Sequence, residues 1–445
     1  MAELEPLYST AEMKAAEAGH DVEQLMARAG RAVAEEALRA YPEARRFVGV
    51  CGGGANGGDG RIALEVLRAQ GRDAEEGDDP AGADVVVDAL FGTGFRGEPR
   101  PAAAATIRRI NASGAHVLAV DLPSGVDAST GEVAGEAVRA DRTVTFHGPK
   151  VGVAIGPGRF LAGEVVVADI GLERAETEAR LVTAEILRRV PRRGPRDTKY
   201  TSGSVLVVGG SRGLTGAACL AAEAAFRADA GYVTVAAPEE SLPVLETRLL
   251  EAVKRPLAEI DDALEKASAL ALGPGLGRSR EARELVARLL RDSDLPAVVD
   301  ADALYELEPH RRDAPTILTP HAGELGRLLG EDSRAVDAHR LDAARRAAER
   351  FGAVCVLKGA DSLVAAPDAP PLVCALGSPG LATAGSGDVL TGVVAAFLAK
   401  GLEPRIAAAA AVAAQQVAST LVANQSGMIA GDVIAALPRA LDAAV

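Results

Sequence analysis

Four polar residues each close an apolar run: Asp88 in VVVDALFGTG, Asp121 in VLAVDLPSG, Asp300 in AVVDADAL and His321 in ILTPHAGE. In open parallel sheets ligands bind beyond the carboxyl ends of the strands, so carboxylates and an imidazole at such places are candidates for proton transfer and ion binding. Beside them lies CGGGANGGDG, residues 51–60, in which Gly52, Gly54 and Gly57 satisfy the dinucleotide pattern G-x-G-x-x-G. That pattern requires neither Asn56 nor Asp59, and a carboxylate at a helix start repels phosphate. The acidic ribose ligand it does require should end a second strand about 20 residues further on. Asp73, Glu75 and Glu76 fall there in a polar run without strand alternation. A tight strand-to-helix turn without any ligand is an equal reading of the glycines alone. Asn56, Asp88 and Ser124, however, jointly offer an amide oxygen, a carboxylate and a hydroxyl or backbone carbonyl, hard donors suited to a group-one or group-two cation. LFGTGFRGE, 90–98, adds main-chain amides and Arg96 for an anionic ligand and leaves Asp121 for proton transfer.

The second chemically informative stretch is TAGSGDVLTG, 383–392. A glycine-rich turn opening a helix presents free amides and a positive helix end to an anion. Asp388 in the first turn is then placed to accept a proton from a hydroxyl that attacks a phosphoryl group. Alone, Asp388 reads equally as an N-terminal helix charge worth about 0.3–1 kcal/mol. LTPHAGE (318–324) brings His321 and Glu324 to the same rim, and LKGADS (357–362) brings Lys358 with a glycine turn suited to nucleotide phosphates.

The elements that must hold these residues alternate between strand and helix. Residues 9–40 read as two helices, the first opened by the capping box Ser9-x-x-Glu12. Valine-rich runs at 47–51, 84–87, 116–120 and 164–168 predict a parallel sheet covered on both faces. A second series follows at 204–210, 231–237, 267–275, 296–304, 315–324 and 353–361. Between the series, the proline-rich basic stretch 188–203 reads as a solvated linker. The alanine-rich segment 406–422, interrupted by Gln415 and Gln416, suits a packed helix better than a membrane span.

A chain of 445 residues with 48% apolar content predicts two domains. The net charge of -14 argues against nucleic acid or an anionic membrane as partner. Four scattered cysteines without C-x-x-C spacing argue against a disulfide framework or zinc site. Cys51 reads as a small buried residue. With no signal peptide in view, the expectation is a cytoplasmic homo-oligomer acting on small molecules.

LMARAG (25–30), GGANGGDG (53–60), VDALFGTGFRGE (87–98), AVDLPSGVDASTG (119–131) and TFHGPKVG (145–152) resemble the NAD(P)H-hydrate epimerase domain over almost all of residues 1–175. The resemblance implies a Rossmann-like three-layer fold that interconverts the R and S epimers of hydrated NAD(P)H, with potassium held by Asn56, Asp88 and Ser124. It implies substrate contacts at Ala55, Asn56, Gly57, Gly58 and Asp59 and along the loop Gly92, Thr93, Gly94, Phe95, Arg96, Gly97 and Glu98, with Asp121 as acid/base. Ala55 stands where the family usually has asparagine, which bears on a substrate contact and not on the ion site.

VLVVGGSRGLTGAACLAAEAAFRADAGYVTVAAP (205–238), ALGPGLG (271–277), VVDADAL (298–304), ILTPHAGE, VLKGADSLV (356–364) and LATAGSGDVLTG resemble the ADP- or ATP-dependent NAD(P)H-hydrate dehydratase, of ribokinase-like α/β fold, over roughly 198–445. This resemblance implies nucleotide contacts at Lys358, Gly359, Ala360, Asp361, Ser362 and Gly387, and hydrate contacts at Ala217, Gly275, His321 and Asp388. Asp388 would be the catalytic base, Mg²⁺ would bridge the nucleotide phosphates, and ADP would be the phosphoryl donor. The expected boundaries are 1–190 for the first domain, 191–200 for the linker and 201–445 for the second. The alternative is a ribokinase-like small-molecule kinase whose N-terminal domain only binds. An mRNA-decapping scaffold, another use of the first fold, would not need Asn56, Asp88, Asp121 and Ser124 together.

Overall fold

The structure, a computed structural model, describes residues 3–309 and 311–443. The chain divides into two compact units, one comprising Pro6–Arg180 with Asp337–His339, the other Leu181–Val336 and the chain from Arg340 on, joined by Glu3 to Glu5. The stretch 181–190, assigned to the first domain from sequence, thus groups with the second unit.

The N-terminal unit carries a six-stranded sheet in the order Asp73–Glu76, Arg46–Cys51, Val85–Ala89, His116–Val120, Arg142–Phe146, Glu164–Ala168. Every neighbouring pair is parallel. Alternate side chains go to opposite faces, as a pleated strand requires. Val85 and Val87 join a core with Leu64 and Leu67 of the helix Ala55–Ala69 and Val33 and Ala37 of Val22–Ala40. Val86 joins Ile107 and Ile110 of the helix Pro101–Ala112 on the other face. Three layers result, with the Ser9–Glu12 capping box in place at the start of Thr10–Glu17.

One expectation needs correcting. Asp73–Glu76 is a strand, paired with Arg46–Gly49 at the sheet edge. Only Ala74 in it is buried, so no apolar alternation marks it. An acid does therefore end a second strand, but Glu76 is engaged by Arg61 at 2.8 Å.

The C-terminal unit is built on an eleven-stranded sheet. Val253–Pro256, Tyr232–Ala237, Ser204–Val208, Ala269–Leu272, Ala297–Val299, Thr316–Leu318 and Val354–Leu357 lie side by side in that order and are parallel. Ser362–Ala366 and Ala369–Cys374 continue it antiparallel, joined by a tight turn in which Asp368 takes φ 54°. Ala179–Val182 and Leu4–Leu7 complete the edge. The segment 406–422 forms most of the helix Pro404–Thr420, whose unbroken buried run from Ala407 to Ala414 lets backbones approach closely. Among the described residues no helix is long and apolar enough to cross a membrane.

Candidate active sites

In the N-terminal unit the strand order reverses between Arg46–Cys51 and Val85–Ala89, and the loops after these strands form the first cluster. Two of the three fingerprint glycines are demanded by close approach. A Cβ on Gly52 would lie 2.1 Å from the Leu90 carbonyl oxygen, and one on Gly57 1.9 Å from that of Gly52. Gly54, the N-cap of Ala55–Ala69, faces open space and leaves the helix start accessible. Ala55, Asn56, Gly57, Gly58 and Asp59 therefore sit in the opening turns of one helix.

Asn56 Nδ2 donates to the Phe91 carbonyl oxygen at 2.9 Å. Asp88, fully buried, accepts from the Ser124 amide at 2.8 Å and the Ser124 hydroxyl at 2.6 Å. The Phe91 amide in turn donates to Ser124 Oγ at 2.8 Å. Burial pushes the Asp88 carboxyl up to about 6, only partly offset by the Ser124 hydrogen bonds. Its partners are all neutral, so a cation would relieve the cost of burying its charge. One carboxylate among amide and hydroxyl oxygens fits a monovalent ion, and no group of three His, Cys, Asp or Glu converges among the described residues.

Asp121 follows the strand His116–Val120 with φ 69°. Lys150 Nζ lies 2.6 Å from Asp121 Oδ1, and Thr145 Oγ1 donates to the same oxygen at 3.1 Å. Lys150 is wholly buried and also donates to the Phe146 carbonyl oxygen at 2.8 Å. Asp59 shares this environment: burial first, then Asp121 and Glu17, push its carboxyl up to about 8 against the pull of Lys150. The loop from Gly92 turns on Phe95 N–H donating to Gly92 O at 3.0 Å, Phe91 and Phe95 stack at 4.6 Å, and Thr93 O accepts from Thr10 Oγ1 at 2.7 Å. Gly94, Arg96, Gly97 and Glu98 are exposed along it.

In the C-terminal unit Asp300, Lys358, Glu324 and Asp388 meet at the carboxyl edge of the sheet. Asp300 accepts from Lys358 Nζ at 2.8 Å and from Thr391 Oγ1 at 2.7 Å. Glu324 lies 3.8 Å from the same ammonium. Burial pulls the Lys358 ammonium down, but Asp300 and Glu324 outweigh it and hold it raised. Asp388 occupies the first turn of the helix Ser386–Ala399, opened by Gly385 at φ 86°. Burial, then the like charge of Asp300, push its carboxyl up to about 6. A Cβ on Gly387 would come within 3.3 Å of Lys358 Nζ, so the amide turn and the ammonium face one space.

His321 caps the helix Ala322–Leu329: its Nδ1 accepts from the amides of Gly323 at 3.0 Å and Glu324 at 3.3 Å, and the ring, more than half exposed, has its Nε2 3.5 Å from Glu324 Oε2. Gly275, at φ 61°, and Ala217 are neighbours, a Gly275 Cβ position lying 3.2 Å from Ala217 Cβ. Of Lys358, Gly359, Ala360, Asp361 and Ser362, Asp361 turns inward to a buried pair with Arg340 at 3.1 Å. Ser362 Oγ closes the turn by donating to the Gly359 carbonyl oxygen at 2.9 Å. Lys150, Thr145, Glu17 and Thr391 carried no role in the sequence reading. Thr391 lies in TAGSGDVLTG and Thr145 and Lys150 in TFHGPKVG, but nothing in those stretches singles out the side chains, and only folding turns them onto the carboxylates.

The comparisons bear on this geometry. The family model of NAD(P)H-hydrate dehydratases matches residues 205–439, and that of YjeF-related N-termini matches 22–76 and 70–152. A bifunctional NAD(P)H-hydrate repair enzyme of Moorella thermoacetica is 42% identical over 81% of this chain and 73% of its own. That of Escherichia coli is 35% identical over 94% and 89%. The ADP/ATP-dependent NAD(P)H-hydrate dehydratase of Bacillus subtilis, co-crystallised with ATP and Mg²⁺, superposes with a TM-score of 0.55 at 29% identity, covering 59% of this chain and 98% of that one. The two units thus define a Rossmann-like domain joined to a ribokinase-like one. The chain belongs to the family of bifunctional NAD(P)H-hydrate repair enzymes. A kinase with a merely binding N-terminal domain is not favoured, since relatives matching nearly the whole chain bear the bifunctional name.

Proposed function

We propose that the N-terminal unit interconverts the R and S hydrates of NADH and NADPH, and that the C-terminal unit dehydrates the S form with ADP, giving AMP and phosphate. The observation that carries the second activity is Asp388: a carboxyl raised by burial, in the first turn of a glycine-opened helix, facing the space beside Lys358. A hydroxyl is a poor leaving group, so phosphorylating it before elimination lowers the barrier. Asp388 takes the hydroxyl proton, the amides of Gly385 to Gly387 meet the developing negative charge, and Lys358 holds the nucleotide phosphates. Mg²⁺, when bound with the nucleotide, neutralises phosphate charge. Gly359 to Ser362 line the nucleotide, Asp361 through its backbone only, and Ala217, Gly275 and the exposed ring of His321 contact the hydrate.

In the N-terminal unit Asn56, Asp88 and Ser124 hold potassium, which supplies the positive charge that Asp88 lacks. The helix start at Ala55 to Asp59 and the loop Gly92 to Glu98 bind the dinucleotide, and Asp121 acts as acid/base. Recovery of reduced-nicotinamide absorbance from mixed hydrates, with ADP, with ATP and with neither, tests the whole reading. Nearly complete, nucleotide-dependent recovery is expected. Recovery stopping at the S fraction removes the epimerase, and none with either nucleotide removes the repair reading. Fractionation and size-exclusion chromatography test the finer proposals of cytoplasmic location and assembly of like copies.

A further inference from the structure

Asp59 is the unmatched carboxyl of the N-terminal unit. It is 8% exposed, yet no hydrogen bond reaches its carboxyl among the described residues. The residue is mostly buried, yet its oxygens are not among the fully enclosed polar atoms of the described residues that lack a partner, so they open on the rim of the site, where a ligand can meet them. Asp121 is the opposite case, with Lys150 and Thr145 both on its Oδ1. Inverting a hydroxyl-bearing carbon moves the hydroxyl from one face of the ring to the other. When the inversion runs by loss and return of water, one carboxyl protonates the departing hydroxyl as the C–O bond breaks. A carboxyl on the other face takes a proton from the returning water as that bond re-forms, so two carboxyls, one on each face, serve it directly.

We propose that Asp59 is a second proton-transfer group of the epimerase site, serving the substrate face that Asp121 does not, and that Lys150, paired with Asp121 and not with Asp59, is the positioning residue that keeps the two carboxyls in different roles. The inference rests on the epimerase reading of this rim. Three charged neighbours act on Asp59: Asp121 beyond its strand, Glu17 at the end of Thr10–Glu17, and Lys150. Glu17 is itself held partly in check by Lys150 and Lys14, and His147 also feels Lys150. Burial, then the like charges of Asp121 and Glu17, keep the proton on Asp59 up to about pH 8 against Lys150, whose ammonium is 2.6 Å from Asp121. At neutral pH Asp59 is thus a proton donor, and Asp121 is the carboxyl paired with Lys150.

The test uses the full chain without nucleotide, purified S hydrate of NADH, and chromatographic detection of the R hydrate from pH 6 to 9.5, with the spontaneous rate subtracted. The wild-type rate should decline above about pH 8. Asp59→Asn should lose about 100-fold or more. Lys150→Met should move the decline to higher pH, because the cation that lowers Asp59 is gone, and Lys150→Arg should hold it within about one unit of wild type. An Asp59→Asn rate within threefold of wild type overturns the proposal, and so does a slow Lys150→Met enzyme whose decline stays in place. Should Lys150→Met fail to fold, a decline displaced by more than about one unit in Lys150→Arg overturns it instead. A wild-type chain with no accelerated inversion at any pH fails the epimerase reading itself, a different result from either.

Discussion

Each unit contains a lysine–aspartate pair at a sheet edge, and the two pairs are used differently. In the N-terminal unit Lys150 holds Asp121, the acid/base candidate read from sequence, at 2.6 Å. In the C-terminal unit Lys358 holds Asp300 at 2.8 Å, and the candidate base Asp388 stands beside the pair without a hydrogen bond among the described residues. Both units therefore contain one carboxylate tied to an ammonium and one buried carboxyl raised by desolvation, Asp59 at about 8 and Asp388 at about 6. Tied carboxylates fix charge and shape. Untied ones have a proton to exchange and nothing in the protein to exchange it with, which is what a substrate hydroxyl needs.

The comparison breaks most visibly at Asp388. Asp388→Asn should lower nucleotide-dependent dehydration by about 10²–10⁴-fold, leave R–S inversion intact, and unfold at a temperature close to wild type. Absorbance recovery and a thermal scan read both outcomes. Loss of folding with the activity would place Asp388 among the tied carboxylates. Asp300→Asn should do the reverse in kind: it strips Lys358 of its main counter-charge in a largely buried setting, and should cost about 3 kcal/mol of stability, seen as an earlier denaturant midpoint.

Asp59 sharpens the same contrast through pH. Its folded carboxyl sits at about 8, against about 3.9 in an unfolded chain. The folded unit keeps a proton that the unfolded chain releases, so stability falls as pH rises from about 4 to about 8 and levels off above. Asn carries no such cost. Asp59→Asn should therefore gain on wild type across that window, reaching about 5 kcal/mol near pH 8, with little difference near pH 4. A gap that does not grow with pH would mean that Asp59 is ionised and tied after all.

The strands that build the two rims were legible where both faces are buried, as in Val85–Ala89 and most of His116–Val120, and the partly exposed edge strand Glu164–Ala168 was legible only because it too carries a valine run. Asp73–Glu76 was hidden because an edge strand with solvent on most sides needs no apolar alternation. The hairpin from Ser362 to Cys374 was hidden because its turn is made by Asp368 at positive φ and not by glycine. Residues on glycine motifs and strand ends, such as Asp88, Asp121 and Asp388, announce themselves by position. Lys150 does not, because a lysine after Gly-Pro is usually solvated, and only the closed strand edge reveals that it is buried on Asp121.

The smallest effect concerns the ion, and it isolates Asp88 from the other carboxyls. Asp88 is also buried and raised, to about 6, but unlike Asp59 and Asp388 it is fully hydrogen-bonded, through Ser124. Its unmet need is charge and not a donor, so potassium and not a substrate proton should answer it. A ligand that binds only the folded state stabilises by RT ln(1 + [L]/Kd), about 1.4 kcal/mol at tenfold excess. Replacing sodium chloride by potassium chloride at constant ionic strength should raise the lower thermal transition by about 2–4 °C. Asp88→Asn should abolish the difference between the salts, whereas Asp59→Asn should keep it. Equal transitions in the two salts for the wild-type chain would leave Asp88 as a structural carboxyl neutralised by its own proton.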